Sequence, residues 1–255
     1  MKNILLISFS FFLFSSNTSL KAQSDYTMIK TIKIGDHSFK IIQQYGEVDD
    51  KVLFLNVHED EVTSIETTEE YAKERPVHFI RIAHKSTRRL TFQHKKKTYS
   101  VDPNRIYTRK GRKKTLKDGG TYSIAAAKQV KIFANHFLKY LSSREVIIAM
   151  HNNTDVNYSI KSYLPGGDEA QNTAEVHLNP EMDADDFIYT TDKEYYDKLV
   201  EKNINVILQD NKKFVNDGSL SVYCGINNIR YINIEAQKGH FDEQLQLIRE
   251  VMSIL

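Results

Sequence analysis

Hydrophobic and polar positions change rhythm several times along this chain. Residues 28–34 and 38–42 alternate, and Gly35-Asp36 between them predicts a two-residue hairpin turn. Residues 51–57 (KVLFLNV) are almost continuously apolar, the pattern of a strand covered on both faces, and residues 63–73 have helical spacing. Residues 77–83 (VHFIRIA) alternate, which predicts a strand with one less buried face, as at a sheet edge. Residues 89–92 and 98–101, joined by the basic His94-Lys95-Lys96-Lys97, predict a second hairpin.

In residues 109–121 (RKGRKKTLKDGGT) charge and glycine replace the apolar positions, so a solvated loop is expected. Residues 123–141 carry the clearest helical period. Ala126, Val130, Phe133, Phe137 and Leu141 recur at steps of three and four, with Ser123 placed to cap. Residues 145–150 (EVIIAM) predict another buried strand, and the Asn-, Asp- and Gly-rich residues 152–185 predict a long surface excursion of the functional kind. Strands follow at 186–190, 204–208, 220–224 and 231–234, with a helix at 192–202. An amphipathic helix at 241–255 shows Leu245, Ile248, Val251 and Met252 on one side. Buried strands alternating with helices, without an internal repeat, predict a single α/β domain over residues 23–255. Its sheet is expected to be mixed, largely parallel and covered by helices on both faces.

The first 22 of the 255 residues stand apart: Lys2, an apolar run from Ile4 to Phe14, then a polar stretch ending at Ala22. This pattern is a secretory signal peptide cleaved after Ala22, since the run is too short for the roughly 20 residues that cross a bilayer. A soluble protein of the periplasm or medium, without a membrane anchor, is expected, and a monomer. Lys plus Arg number 35 against 33 Asp plus Glu. Loss of Lys2 and Lys21 with the leader balances the charges, so nucleic acid is not an expected partner. The lone cysteine, Cys224, excludes an intrachain disulfide and a Cys-only metal site.

Ligands of open α/β sheets collect at the carboxyl ends of strands. After KVLFLNV come His58, Glu59, Asp60 and Glu61; after EVIIAM comes His151; after YINI comes Glu235. His58 and Glu61 stand three apart, close enough to share one side of a tight turn, although Glu59 and Asp60 compete with Glu61. Two histidines and a carboxylate converging from separate strands form a natural zinc site with an open position for water, and Glu235 is placed to be the base beside it. His84 also follows a strand, but its Arg81-containing, alternating run reads as an edge, away from the centre.

HEDE at 58–61, DPNR at 102–105, AMHNN at 149–153 and NIEAQ at 233–237 together resemble the ordered motifs of the zinc carboxypeptidase superfamily, including its acyl-amino-acid amidohydrolases. The resemblance spans residues 40–250. It implies a zinc carboxypeptidase-like sandwich with Zn2+ held by His58, Glu61 and His151, and Glu235 as general base and acid. Asn104 and Arg105 would bind a substrate carboxylate, the guanidinium in two-point fashion. The family's second arginine falls to Arg88 or Arg89, and Tyr223 is a weak candidate for its capping tyrosine. The implied activity is hydrolysis of an amide bond beside a free carboxylate, in small peptides, acyl amino acids or cell-wall muropeptides. The alternative is a non-catalytic module of the same fold that binds carboxylated or anionic cell-surface ligands through Arg105 and the basic segment.

Overall fold

The computed structural model describes residues 26–46, 51–154, 156 and 158–255, so the leader segment lies outside the described residues. The strands are β1 (Tyr26–Ile34), β2 (His37–Tyr45), β3 (Val52–Asn56), β4 (His78–Ala83), β5 (Leu90–His94), β6 (Lys97–Val101), β7 (Val146–Asn153), β8 (Thr173–His177), β9 (Phe187–Thr190), β10 (Val206–Gln209) and β11 (Arg230–Gln237). The helices are α1 (Val62–Glu74), α2 (Arg109–Asp118), α3 (Ile124–Leu138), α4 (Lys193–Glu201), α5 (Leu220–Asn227) and α6 (Phe241–Ile254). Among the described residues, nine strands form one sheet in the order β1-β2-β4-β3-β7-β11-β9-β10-β8, while β5 and β6 pair separately.

Parallel pairing joins β4, β3, β7 and β11 at the centre, and β9 with β10. Antiparallel pairs complete both flanks. The central strands are largely buried and mostly apolar because both their faces are covered. Leu53, Leu55, Ile147, Ala149 and Tyr231 face a core closed by α2, α3, α5 and the β5–β6 hairpin. Phe54, Ile148, Met150, Ile232 and Ile234 face a second core under α1, α4 and α6.

Most elements follow the pattern of the sequence. The first hairpin turns at Gly35-Asp36 with Ile34 opposite His37, and Gly35 adopts φ +58°, a left-handed conformation that favours glycine. Ser123 caps α3, its hydroxyl accepting from Ala126 N. Four expectations are corrected. Residues 109–118 form a helix: Thr108 caps it through Gly111 N, and Gly111, Thr115 and Leu116 supply a narrow buried stripe among the charges. Residues 220–227 form a helix capped by Ser219, not a strand. The excursion 152–185 contains β8, which closes one edge of the main sheet. β4 is internal, paired with β2 and β3, so Arg81 does not mark an edge.

Candidate metal and active site

β3, β7 and β11 are adjacent and parallel, so their carboxyl ends open on the same side of the sheet. His58 follows β3, His151 lies near the end of β7, and Glu235 is directly opposite His151 in the β7–β11 register. Alternation puts His151, Asn233 and Glu235 on the face shared with Ala149 and Tyr231. Glu61 stands just before α1, where the chain turns back over the sheet.

The side chains of His58, Glu61 and His151 converge. Their ligand atoms lie within 4.8 Å of one another, and all three residues are buried. His58 Nδ1 is 2.8 Å from Glu61 Oε1, His151 Nδ1 is 2.7 Å from Glu61 Oε2, and the two Nδ1 atoms are 3.2 Å apart. Tetrahedral ligation with bonds of about 2 Å separates donor atoms by roughly 3.3 Å, so the spacing is of the order that one ion requires.

The chemistry of the donors points the same way. His58 Nε2 is also 2.8 Å from Asp102 Oδ1, so the ring has a carboxylate at each nitrogen. A neutral imidazole carries one N–H and can satisfy only one of them. Positive charge, either a second proton or a metal ion, is needed between Nδ1 and Glu61. Burial opposes charging of His58, but Glu61 and Asp102 outweigh it and raise the imidazole to about 9. Burial likewise works against ionised Glu61, and the two histidines nevertheless hold its carboxyl well below the usual range. The residues therefore fit a divalent metal bound by two nitrogens and a carboxylate.

Asp102 was not singled out in the sequence. Its Oδ1 also accepts from Asn104 N, capping the short 3-10 turn of Pro103–Arg105, while its backbone N–H donates to Thr115 Oγ1 at 2.8 Å. The DPNR segment thus presents Asp102 to the back of His58 and Arg105 to the front. The only sequence signal was the Asp-Pro start, which reads as a turn.

A cavity of about 520 Å³ opens in front of the cluster, with Glu61, His151, Glu235, Arg88, Asn104 and Arg105 in its wall. Glu235 is buried, and its carboxyl is raised because burial outweighs the attraction of His151; Asn233 Nδ2 donates to its Oε1 at 3.0 Å. Asn104 Oδ1 accepts from Leu220 N, and its Nδ2 lies 3.4 Å from His151 Nε2, which leaves one amide hydrogen for a ligand. Arg105 is half-buried, its Nε 3.1 Å from Asp217 Oδ2 and its Nη1 donating to Asn104 O.

Between the two candidate arginines the structure selects one for the cavity. Arg88 reaches Glu61 Oε1 at 2.6 Å, whereas Arg89 donates away from the cavity to Thr115 O and Ser100 O. Of the competing acids, Glu59 accepts from His84 N and Ser86 N, and Asp60 lies in the cavity wall outside the cluster. Tyr223 packs against Tyr107 and is not part of the cavity wall. His84 is buried beside Glu59, apart from the two clustered histidines.

No protein-family model and no curated relative matches the sequence. Solved structures do. Thrombin activatable fibrinolysis inhibitor aligns at 13% identity over 89% of this chain and 69% of its own, with TM-score 0.48. An aspartoacylase family protein from Mesorhizobium loti aligns at 12% identity over 94% and 69%, with TM-score 0.46. A candidate metallopeptidase from Shewanella denitrificans aligns at 14% identity over 89% and 82%, with TM-score 0.43.

Proposed function

We propose that this chain is a zinc-dependent hydrolase that cleaves an amide bond beside a free carboxylate, in a small peptide or acyl amino acid. The observation that carries the reading is the convergence of His58, Glu61 and His151 beside an acid, Glu235, that is not part of their contact network. When bound by those three residues, zinc lowers the pKa of water and polarises a carbonyl oxygen.

Arg105 receives the substrate carboxylate through its guanidinium, whose positive charge is preserved despite burial by Asp217 and Asp102. Holding that end fixes the scissile amide over the cluster and removes much of the orientational cost of reaction. Glu235 accepts a proton from the attacking water and returns it to the departing amine, so the acid ends the cycle in its starting state. Arg88, half-exposed at the cavity wall and paired with Glu61, brings a cation to the developing oxyanion. Export to a periplasm or the medium belongs to the same proposal and rests on residues 1–22; a single monomeric domain over 23–255 is part of the proposal too. Muropeptides are the substrates that such a location offers.

The test joins elemental analysis with a panel of N-acylated dipeptides and acyl amino acids. One zinc per chain is expected, with hydrolysis reduced about a thousandfold or more in Glu235→Gln while zinc content is retained. Arg105→Ala is expected to raise KM for carboxylate-bearing substrates and to leave unchanged the slow hydrolysis expected of wild type on their C-terminal amides. A metal-free wild type that binds peptides without cleaving them would replace the enzyme with a binding module.

A further inference from the structure

Behind the cluster lies a network of buried amide and hydroxyl groups that the chemistry above does not use. α1 turns an unusually polar face inward: Thr63, Ser64, Thr67 and Thr68 are buried beside Ile65, Tyr71 and Ala72. α6 lies against this face, and its inward positions are apolar except for Gln244, which is fully buried. Gln244 Nε2 donates to the backbone carbonyl of His151 at 2.6 Å, and its Oε1 is 2.8 Å from Thr67 Oγ1. One amide therefore joins the strand that carries His151 to the helix that begins after Glu61.

β3 pairs with β7 only as far as Leu55 and Ala149, whereas β11 pairs with β7 to Asn153. Beyond Ala149 the β3 side of β7 has no ladder, and side chains take its place: Asn56 Nδ2 donates to Met150 O at 3.4 Å and Asn152 N donates to Glu61 Oε2 at 3.3 Å, while the His151 carbonyl, which points toward β11, takes Gln244 as a further donor. A buried amide with unmade hydrogen bonds is costly, whereas an apolar residue at 244 would pack without that demand. Gln244 thus favours one placement of α6 and α1 around the end of β7 over all others, because only that placement satisfies it.

We infer that Gln244, acting with Thr67, is a positioning residue for the metal cluster: it sets the distance between His151 and Glu61 from outside the cavity. This inference rests on the proposed metal site. Groups that orient metal ligands from behind typically alter affinity by 10–100-fold when removed.

The experiment measures zinc affinity by competition with a chromogenic chelator, and the visible absorption bands of the cobalt-substituted protein, for full-length variants. Gln244→Met and Thr67→Val are each expected to weaken zinc at least tenfold and to shift the cobalt bands, while Thr67→Ser keeps both near wild type. Thr67→Val added to Gln244→Met is expected to have little further effect, since both changes break one chain of contacts. Ile248→Val, in the same packed layer, serves as a control that lowers stability without moving either readout. Zinc affinity within twofold of wild type in Gln244→Met and Thr67→Val overturns the inference, and so does an equal loss in the Ile248→Val control. If Gln244→Met fails to fold, Thr67→Val and Thr67→Ser decide alone. A folded wild type that binds neither zinc nor cobalt overturns the metal reading itself, a result distinct from variants that bind as wild type does.

Discussion

At the residue scale, the site depends on a histidine held by acid on both sides. Asp102 at Nε2 fixes the His58 ring so that Nδ1 faces Glu61 and His151. Asp102→Asn is expected to weaken metal binding about 10–100-fold with circular dichroism unchanged, read by chelator competition. Glu235 gives a pH signature. Burial raises its carboxyl, so the ionised base is lost on acidification at a higher pH than for an ordinary carboxylate. The acid limb of kcat/KM is therefore expected to fall above the usual carboxylate range, and a limb within that range would contradict the role of burial. His58, Glu61, His151, Glu235 and Arg105 could all be picked out of the sequence because they follow strands or stand in short motifs. Asp102, Asp217 and Gln244 could not. Each acts through a partner distant in sequence: Asp102 through His58, Asp217 through Arg105, and Gln244 through His151 and Thr67.

At the scale of elements, legibility followed burial. Strands covered on both faces and helices with a broad apolar stripe show in the hydrophobic pattern, and β3, β7, β11, α3 and α6 fall where the pattern puts them. α2 escaped because its buried stripe is only Gly111, Thr115 and Leu116 within a run of lysine and arginine. α5 escaped because eight residues are too few to separate a helical period from a strand's apolar run. Close backbone contact adds to that narrow stripe in holding α2 down. A Cβ on Gly218 would lie 2.4 Å from Gly111 Cα, and Gly218 has φ +86°. Gly218→Ala is expected to cost more than about 1 kcal/mol in urea unfolding. Phe133→Ala, which empties a fully buried ring site beneath α3, is expected to cost about 3–5 kcal/mol in the same assay.

At the scale of the whole molecule, two cores share one sheet, and the cluster sits where the sheet's central strands end. The zinc binding proposed above would select the folded arrangement, because Glu61 and His151 are 90 positions apart in the chain and meet only when β3 and β7 are docked. At a hundredfold excess over Kd, zinc is expected to stabilise the protein by about 2.7 kcal/mol. A thermal midpoint that rises with zinc and falls with chelator checks this, and an unchanged midpoint would count against a shared ion. No helix among the described residues is long and apolar enough to cross a membrane.

The ion proposed here would also be a removable staple. It would clip together the start of α1 and the end of β7, closing a long stretch of polypeptide into a loop that chelation opens and added metal restores. On that reading a single polypeptide has two melting thresholds, chosen by the zinc available around it, and a copy in zinc-poor surroundings would become easier for proteases to cut.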